Sequence, residues 1–290
     1  MDDSSHRENV GREDFTLKVC GRRLVAGWLK PPGVGEPGDS ERPVLVFLHE
    51  GLGSMEGWRD FPAKLVNLCG LEGFMYDRYG HGLSDPLSSA EADPGYLARE
   101  AWEFLPRVLA ECAVENPILI GHSDGGTVAL MYAARGPKPG ATRVAAIITE
   151  AAHVFVDDVT RSGIRSAVRS YRKGDLKARL QKYRGSSLDE LFGRWSNTWL
   201  SNDFSRWNIL SLLGEVRCPV LAIQGESDEY GTKAQVDAIV SGVSGRAESF
   251  MVPGARHIPH LQAGKLVMER MASFIRGLTS GPLPLVRCPQ

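Results

Sequence analysis

The chain has almost no net charge: 34 lysines and arginines stand against 35 aspartates and glutamates, a formal charge of −1 over 290 residues. No global field is present to recruit nucleic acid or an anionic membrane surface. Cysteine is sparse, odd in number and scattered (Cys20, Cys69, Cys112, Cys218 and Cys288) with no Cys-x-x-Cys pair, which argues against a disulfide framework or a zinc ribbon. Three of these five lie within apolar stretches and read as buried thiols of a reducing compartment. No apolar run approaches the length of a membrane span. Met1-Asp2-Asp3-Ser4-Ser5 has neither the basic nor the apolar part of a secretory leader. His49-Glu50 is not a zinc motif, because Leu52 and Gly53 stand where the second histidine would have to be. These absences predict a cytoplasmic protein that needs no metal and no cofactor, with neither nucleic acid nor membrane as partner.

The hydrophobic content, 42%, suffices for one large core with a small second lobe. Apolar runs at 44–48, 73–77, 117–121 and 144–149 alternate with helical patterns near 59–68, 96–112 and 125–135, the signature of a parallel sheet covered on both faces. A hairpin of strands at 15–19 and 22–30 precedes them. A proline- and glycine-rich loop at 31–42 joins it to the rest. The rhythm breaks after 153, where helical patterns without a strand run to about 213, and resumes at 219. Strands at 219–224 and 248–252 follow, then a last helix over 259–276. The domain reading is a loose N-terminus at 1–13, a core of 14–153 and 214–278, a helical insertion at 154–213 and a tail at 279–290.

The most informative segment is Gly121-His122-Ser123-Asp124-Gly125, set between the apolar run of 117–120 and a run of helix formers. A buried strand that stops, holds a serine in a strained turn and passes at once into a helix is the context in which G-x-S-x-G carries chemistry. Gly121 and Gly125 allow backbone to approach a serine of unfavourable φ and ψ. The turn aims the backbone N–H of Asp124, and the positive end of the new helix, at a developing oxyanion.

Serine alone is a weak nucleophile and needs a base and an orienting acid. Asp228 falls in a turn just past the strand at 219–224. His257, 29 residues later, falls in the loop after the last strand. Asp85, Asp157, Glu226 and Glu229 are weaker candidates for the acid. His260 reads as a surface histidine at a helix start.

With these residues in place the chain resembles the α/β-hydrolase superfamily, in the branch of small capped esterases and carbon–carbon-bond hydrolases, over about residues 14 to 277. The resemblance implies a mostly parallel eight-stranded sheet with helices on both faces and a helical cap inserted after strand six. It implies a Ser123, Asp228, His257 triad and an oxyanion hole made by the backbone N–H of Gly51 (or Leu52) with that of Asp124. The loop His49-Glu50-Gly51-Leu52-Gly53-Ser54 departs from the family at Glu50, where glycine is usual. The family's Asp-x-Arg-Gly-x-Gly-x-Ser segment is echoed by Asp77-Arg78-Tyr79-Gly80-His81-Gly82-Leu83-Ser84, with the arginine one place early, and shapes the pocket wall.

Hydrolysis of a small carboxylic ester through an acyl-enzyme is the activity so implied. The alternatives are a carbon–carbon-bond hydrolase acting on a ring-cleavage product, and a ligand-binding protein that turns nothing over. Asparagine before the serine and tryptophan after the histidine typify the carbon–carbon-bond enzymes, whereas this chain has His122 and Ile258. Trp195, Trp199 and Trp207, with Phe192 and Phe204, pack the insertion, and at least one of the three tryptophans is expected to line the substrate pocket. The basic residues Arg161, Arg165, Arg169 and Arg172 fit a solvated helix face better than a lip over the site. Asp124 and Glu50 are read as turning away to accept backbone N–H bonds. If either faces the pocket, uncharged or cationic acyl groups are favoured.

Overall fold

Strand residues of alternating direction feed two separate apolar layers, which gives the architecture its shape. Leu45, Phe47, Ile118 and Ile120 point to one face, against Phe61 and Leu65 and against Met271 and Ile275. Val46, Leu48 and Leu119 point to the other, against Leu105, Val108 and Val128. Both faces being covered, the central strands read as unbroken apolar runs and not as alternating ones.

The computed structural model describes residues 10–32, 42–135, 143–182 and 187–279. Most of the expected loop of 31–42, four residues of the insertion (183–186), the first nine residues and nearly all of the expected tail lie outside the described residues. The strands are β1 (Gly11–Val19), β2 (Arg22–Lys30), β3 (Val44–Leu48), β4 (Gly73–Tyr76), β5 (Pro117–His122), β6 (Ala146–Glu150), β7 (Val220–Gly225) and β8 (Ala247–Val252). They form one eight-stranded sheet in the order β1-β2-β4-β3-β5-β6-β7-β8. The β1–β2 and β2–β4 pairs are antiparallel and the others parallel. β1 begins at Gly11, ahead of the expected residue 15. Arg12 there donates to Asp14 and, at 2.6 Å, to Glu56, so the strand is pinned where the composition reads as loose.

Helices α1 (Phe61–Cys69) and α11 (Gly264–Thr279) cover the first face. The second is covered by α2 (Tyr96–Arg99), running through a π turn into α3 (Leu105–Glu111), by α4 (Asp124–Ala134) and by α9 (Lys233–Gly242). α4 is apolar all round and buried along its length, as a helix in the centre of a core must be. The expected single last helix is two: α10 (Pro259–Gln262) ends at Ala263, and α11 starts at Gly264.

Between β6 and β7 lie α5 (Asp158–Lys173), α6 (Leu176–Gln181), α7 (Leu188–Leu200) and α8 (Leu210–Leu213), with a β-bridge between Phe155 and Asn208. Asp157 caps α5, its Oδ1 accepting from Thr160 N at 2.7 Å. The predicted basic face of α5 is indeed solvated: Arg165, Arg169 and Arg172 are exposed. Arg161 is the exception and donates to the carbonyls of Trp199, Leu200 and Ser201 at the end of α7. A Cβ on Gly163 would come within 2.9 Å of Tyr230, so α5 rests on the loop after β7. α5 therefore sits over the carboxyl end of β7.

Cys69, Cys112 and Cys218 are half-buried free thiols, pushed up to about 11, 11 and 12 by burial. Cys20 is free but exposed. Among the described residues no helix is long and apolar enough to cross a membrane.

Candidate active site

Ser123 leaves β5 and enters α4 with φ 52° and ψ −116°, a conformation that side-chain-bearing residues rarely adopt. The strain is held by backbone packing. A Cβ on Gly125 would overlap the carbonyl of Leu48, and one on Gly121 would overlap the backbone of Gly125. Only glycine fits at either place. Such a conformation costs on the order of 1–3 kcal/mol. Ser123→Gly is accordingly expected to be more stable to denaturant than Ser123→Ala by about 1 kcal/mol, although both lose the hydroxyl. The reverse order would contradict a strained serine.

The three residues singled out from the sequence meet at this turn. Ser123 Oγ lies 3.1 Å from His257 Nε2, and His257 Nδ1 lies 2.9 and 3.0 Å from the two Asp228 oxygens. Asp228 also accepts from Tyr230 N at 2.8 Å and from Gln224 Nε2 at 2.9 Å. Burial would raise its pKa, but His257 and these donors outweigh burial and hold the carboxyl below its ordinary value. A carboxylate on Nδ1 keeps the proton there and leaves Nε2 to accept from the serine.

The competing acids have other work. Asp85 accepts from Arg23 N, Asp157 caps α5, and Glu229 pairs with Arg256 and accepts from His257 N. Glu226 is exposed.

The loop after β3 is built around Arg78, which is fully buried. Its Nη2 donates to Glu50 O at 2.8 Å and to His49 O at 3.2 Å. Its backbone N–H donates to His49 Nε2, so Nδ1 carries the proton of that imidazole and donates to Glu50 O. Asp77 pins the neighbouring turn by accepting from Met55 N and Leu83 N. Trp195 lies against the loop, since a Cβ on Gly51 would stand 2.8 Å from its Cδ1 and 2.6 Å from Asp124 Oδ2. Trp199 is buried, donates to Tyr96 Oη and packs edge-on against His153, while Trp207 stacks on Phe204.

Three expectations are corrected here. Asp124 does turn inward, yet its partners are side chains: it accepts from Tyr96 Oη at 2.7 Å and lies 3.9 Å from Arg78 Nη2. Glu50 reaches back to His122, with Oε2 3.5 Å from Nδ1. A preference for cationic acyl groups therefore loses its basis in Asp124, whose charge is met by the protein itself. His260 is no surface residue either. Its backbone N–H and Nδ1 both contact Glu150, at 2.7 and 3.0 Å, and its ring lies against Trp58.

Sequence reasoning missed this buried pair and His153, whose Nε2 meets Tyr230 O at 2.9 Å beside the His257 ring. Burial, with His257 adding to it, holds the His153 imidazole below its ordinary value.

His122, between Glu50 and Glu150, has Nε2 2.7 Å from His257 O. Burial disfavours its charge, but Glu50, Glu150 and the His257 carbonyl overcome this and raise its pKa to about 9. Glu150 is held below its ordinary value, His260 and His122 outweighing its burial. For a raised histidine the stabilisation is complete below its ordinary 6.5 and disappears as pH rises through about 9. Thermal unfolding should therefore move to lower temperature between about pH 7 and 10, and His122→Asn should flatten that limb. A pH-independent melting point over that window in the native protein would exclude a charged His122.

A mostly parallel sheet with a serine at a strand-to-helix turn, and a histidine and an aspartate on later strand ends, defines the hydrolase class of α/β proteins. The chain belongs to the alpha/beta hydrolase family, whose model matches residues 45–270. It is 25% identical over 132 residues to the monoglyceride lipase of Rattus norvegicus, covering 45% of this chain and 41% of that protein. It is 33% identical over 94 residues to the proline iminopeptidase of Lactobacillus helveticus (strain DPC 4571), covering 32% and 31%. The chain thus matches less than half the length of either relative. Among solved structures, the 2-hydroxy-6-oxo-6-phenylhexa-2,4-dienoate hydrolase of Rhodococcus sp. strain RHA1 superposes with a TM-score of 0.73 over 92% of this chain and 99% of that one, at 12% identity.

Proposed function

We propose that the protein is a serine hydrolase that cleaves small carboxylic esters through an acyl-enzyme. The observation that carries this reading is the continuous relay Asp228, His257, Ser123, with both hydrogen-bond steps at 2.9–3.1 Å, on a serine held at positive φ. Ser123 Oγ attacks the acyl carbon while His257 Nε2 takes its proton. Asp228 holds the imidazole tautomer and stabilises the imidazolium. The backbone N–H groups of Asp124 and Gly51, with Leu52 as the alternative to Gly51, receive the tetrahedral oxyanion. Collapse breaks the ester C–O bond, and the leaving alcohol takes the proton from Nε2. Water, deprotonated by the same nitrogen, then attacks the acyl-enzyme and releases the carboxylic acid and free Ser123.

In this reading residues 154–213 are a cap on a core of 14–153 and 214–278, and Trp195 lies in the wall of the substrate pocket. Trp199 and Trp207 hold the cap together behind it. Glu50 acts through His122 on the carbonyl of His257 and not on substrate. Free thiols among the described residues fit a cytoplasmic location. Ester cleavage stands ahead of carbon–carbon-bond cleavage because His122 is engaged with His257 O and Glu50 and is not offered to a ligand.

The test is a stopped-flow mixing of wild type with activated aryl esters of graded acyl length. A burst of phenol equal to the enzyme concentration, followed by slower turnover, is the expected result for an acyl-enzyme. Binding without release of phenol for every acyl length would support the ligand-binding alternative instead.

A further inference from the structure

Asp228 fixes one atom of the His257 imidazole and not its plane. Its two oxygens lie 2.9 and 3.0 Å from Nδ1. A ring held at one nitrogen can still tilt, because the last torsion of a histidine has broad wells. Tilting would carry Nε2 away from Ser123 Oγ. Among the described residues three rings pack against this imidazole. Tyr230 is the nearest, with centroids 4.7 Å apart, compared with 5.3 Å for His122 and 5.9 Å for His153. Both histidines are bonded elsewhere, His122 Nε2 to the His257 carbonyl and His153 Nε2 to the Tyr230 carbonyl.

Tyr230 is itself fastened on several sides. Its backbone N–H donates to Asp228 Oδ1 at 2.8 Å, and its carbonyl meets His153. Its ring comes up against α5, where a Cβ on Gly163 would stand 2.9 Å from Tyr230 Cδ1 and closer still to Glu229 O. None of these contacts uses the hydroxyl. Burial, reinforced by Glu229 and Asp228, pushes that hydroxyl up to about 12, so it stays neutral and is neither acid nor base at ordinary pH. Gly163 is a second, independent sign. It lies in the interior of the 16-residue α5, where glycine costs about 1 kcal/mol relative to alanine. The close approach of Glu229 and Tyr230 accounts for a glycine at that place.

We propose that Tyr230 is a positioning residue, whose ring, backed by α5 at Gly163, holds the His257 imidazole in the plane that joins Asp228 to Ser123. This rests on the hydrolase reading and adds to it a link from the helical insertion to the triad. Its kinetic mark is that both chemical steps depend on it. The same nitrogen takes a proton from Ser123 in acylation and from water in deacylation, so a tilted imidazole slows both. A side chain that only walled the alcohol would slow acylation alone, since the alcohol has left before water attacks.

Stopped-flow kinetics on one activated aryl ester separates the two steps in wild type, Tyr230→Ala, Tyr230→Phe and Gly163→Ala. Tyr230→Ala should slow acylation and deacylation by a common factor of roughly 10- to 100-fold, with ester binding changed by less than about threefold. Tyr230→Phe should return both rates to within about twofold of wild type, because the contact is made by the ring. Gly163→Ala favours the helix by propensity, yet it should slow both steps together. Labelling by an uncharged fluorophosphonate should still reach one adduct per chain in every variant, only more slowly in Tyr230→Ala and Gly163→Ala. That endpoint separates a misaligned imidazole from a fraction of unfolded chains. Native rates in Tyr230→Ala, a loss confined to acylation, or no rescue by phenylalanine would overturn the inference. So would a reduced labelling endpoint that accounts for the lost rate. Native rates in Gly163→Ala would overturn the part assigned to α5. Absence of both turnover and labelling in wild type would instead overturn the hydrolase reading.

Discussion

Replacing Ser123 by alanine is expected to lower kcat for ester hydrolysis by roughly 10³-fold or more, and His257→Ala by a similar factor. The two side chains act on one proton, 3.1 Å apart, so neither is useful without the other. The double variant should therefore be little worse than either single one, the sign that they work as a unit. Asp228→Asn should be severe but milder. An amide there would face His257 Nδ1 with the wrong hydrogen-bonding choice at one atom, while Tyr230 N and Gln224 Nε2 would still orient the loop. Turnover near that of wild type in Ser123→Ala, or multiplicative losses in the double variant, would contradict the assignment. Steady-state kinetics on the best ester of the acyl series reads all of these values.

The second large effect is on stability and involves no reacting atom. Gly125→Ala places a methyl group on the carbonyl oxygen of Leu48 at the end of β3, and His49 O lies close as well. Both obstacles are backbone at the core of the sheet and cannot swing aside as a side chain tip would. A loss of about 3 kcal/mol or more is expected, large against the 5–15 kcal/mol that holds a domain folded. Urea unfolding followed by far-ultraviolet circular dichroism measures it. Ala129, four residues along the same helix, is already a tolerated alanine of the buried core, so the effect belongs to the turn and not to α4 as a whole. A Gly125→Ala protein as stable as wild type would mean that β3 and the turn are farther apart than described.

The elbow was legible because its requirements are local: an apolar strand, two glycines, a serine and a helix start, all within about 15 residues. Asp228 and His257 were legible for a related reason, since each directly follows a strand end where open α/β sheets collect their ligands. The supports behind them left no such trace. Glu150 and His260 are 110 residues apart, and nothing in the composition around His260 distinguishes a buried imidazole from an exposed one. Arg78 sits in a recognisable segment, yet its partners are carbonyls of the β3 loop and a carboxylate in the elbow, and neither contributes a spacing.

The partners of Asp124 were hidden for the same reason. Asp124 adjoins the serine in sequence, so its charge seemed available to substrate, but Tyr96 comes from 28 residues away to meet it. The strand start at Gly11 and the break at Ala263 are boundary shifts that follow from particular contacts: Arg12 with Glu56, and Ala263 N donating to Pro259 O while its φ and ψ depart from helical values.

The most direct measurement is active-site labelling. An uncharged alkyl fluorophosphonate should lose fluoride and form a single P–O bond to Ser123, in a reaction that needs the same activated oxygen and the same oxyanion donors as ester cleavage. Intact mass spectrometry should show one adduct per chain, peptide mapping should place it on Ser123, and Ser123→Ala should take up none while remaining folded. No adduct on folded wild-type protein, or an adduct on another residue with Ser123 unmodified, would contradict a nucleophilic Ser123.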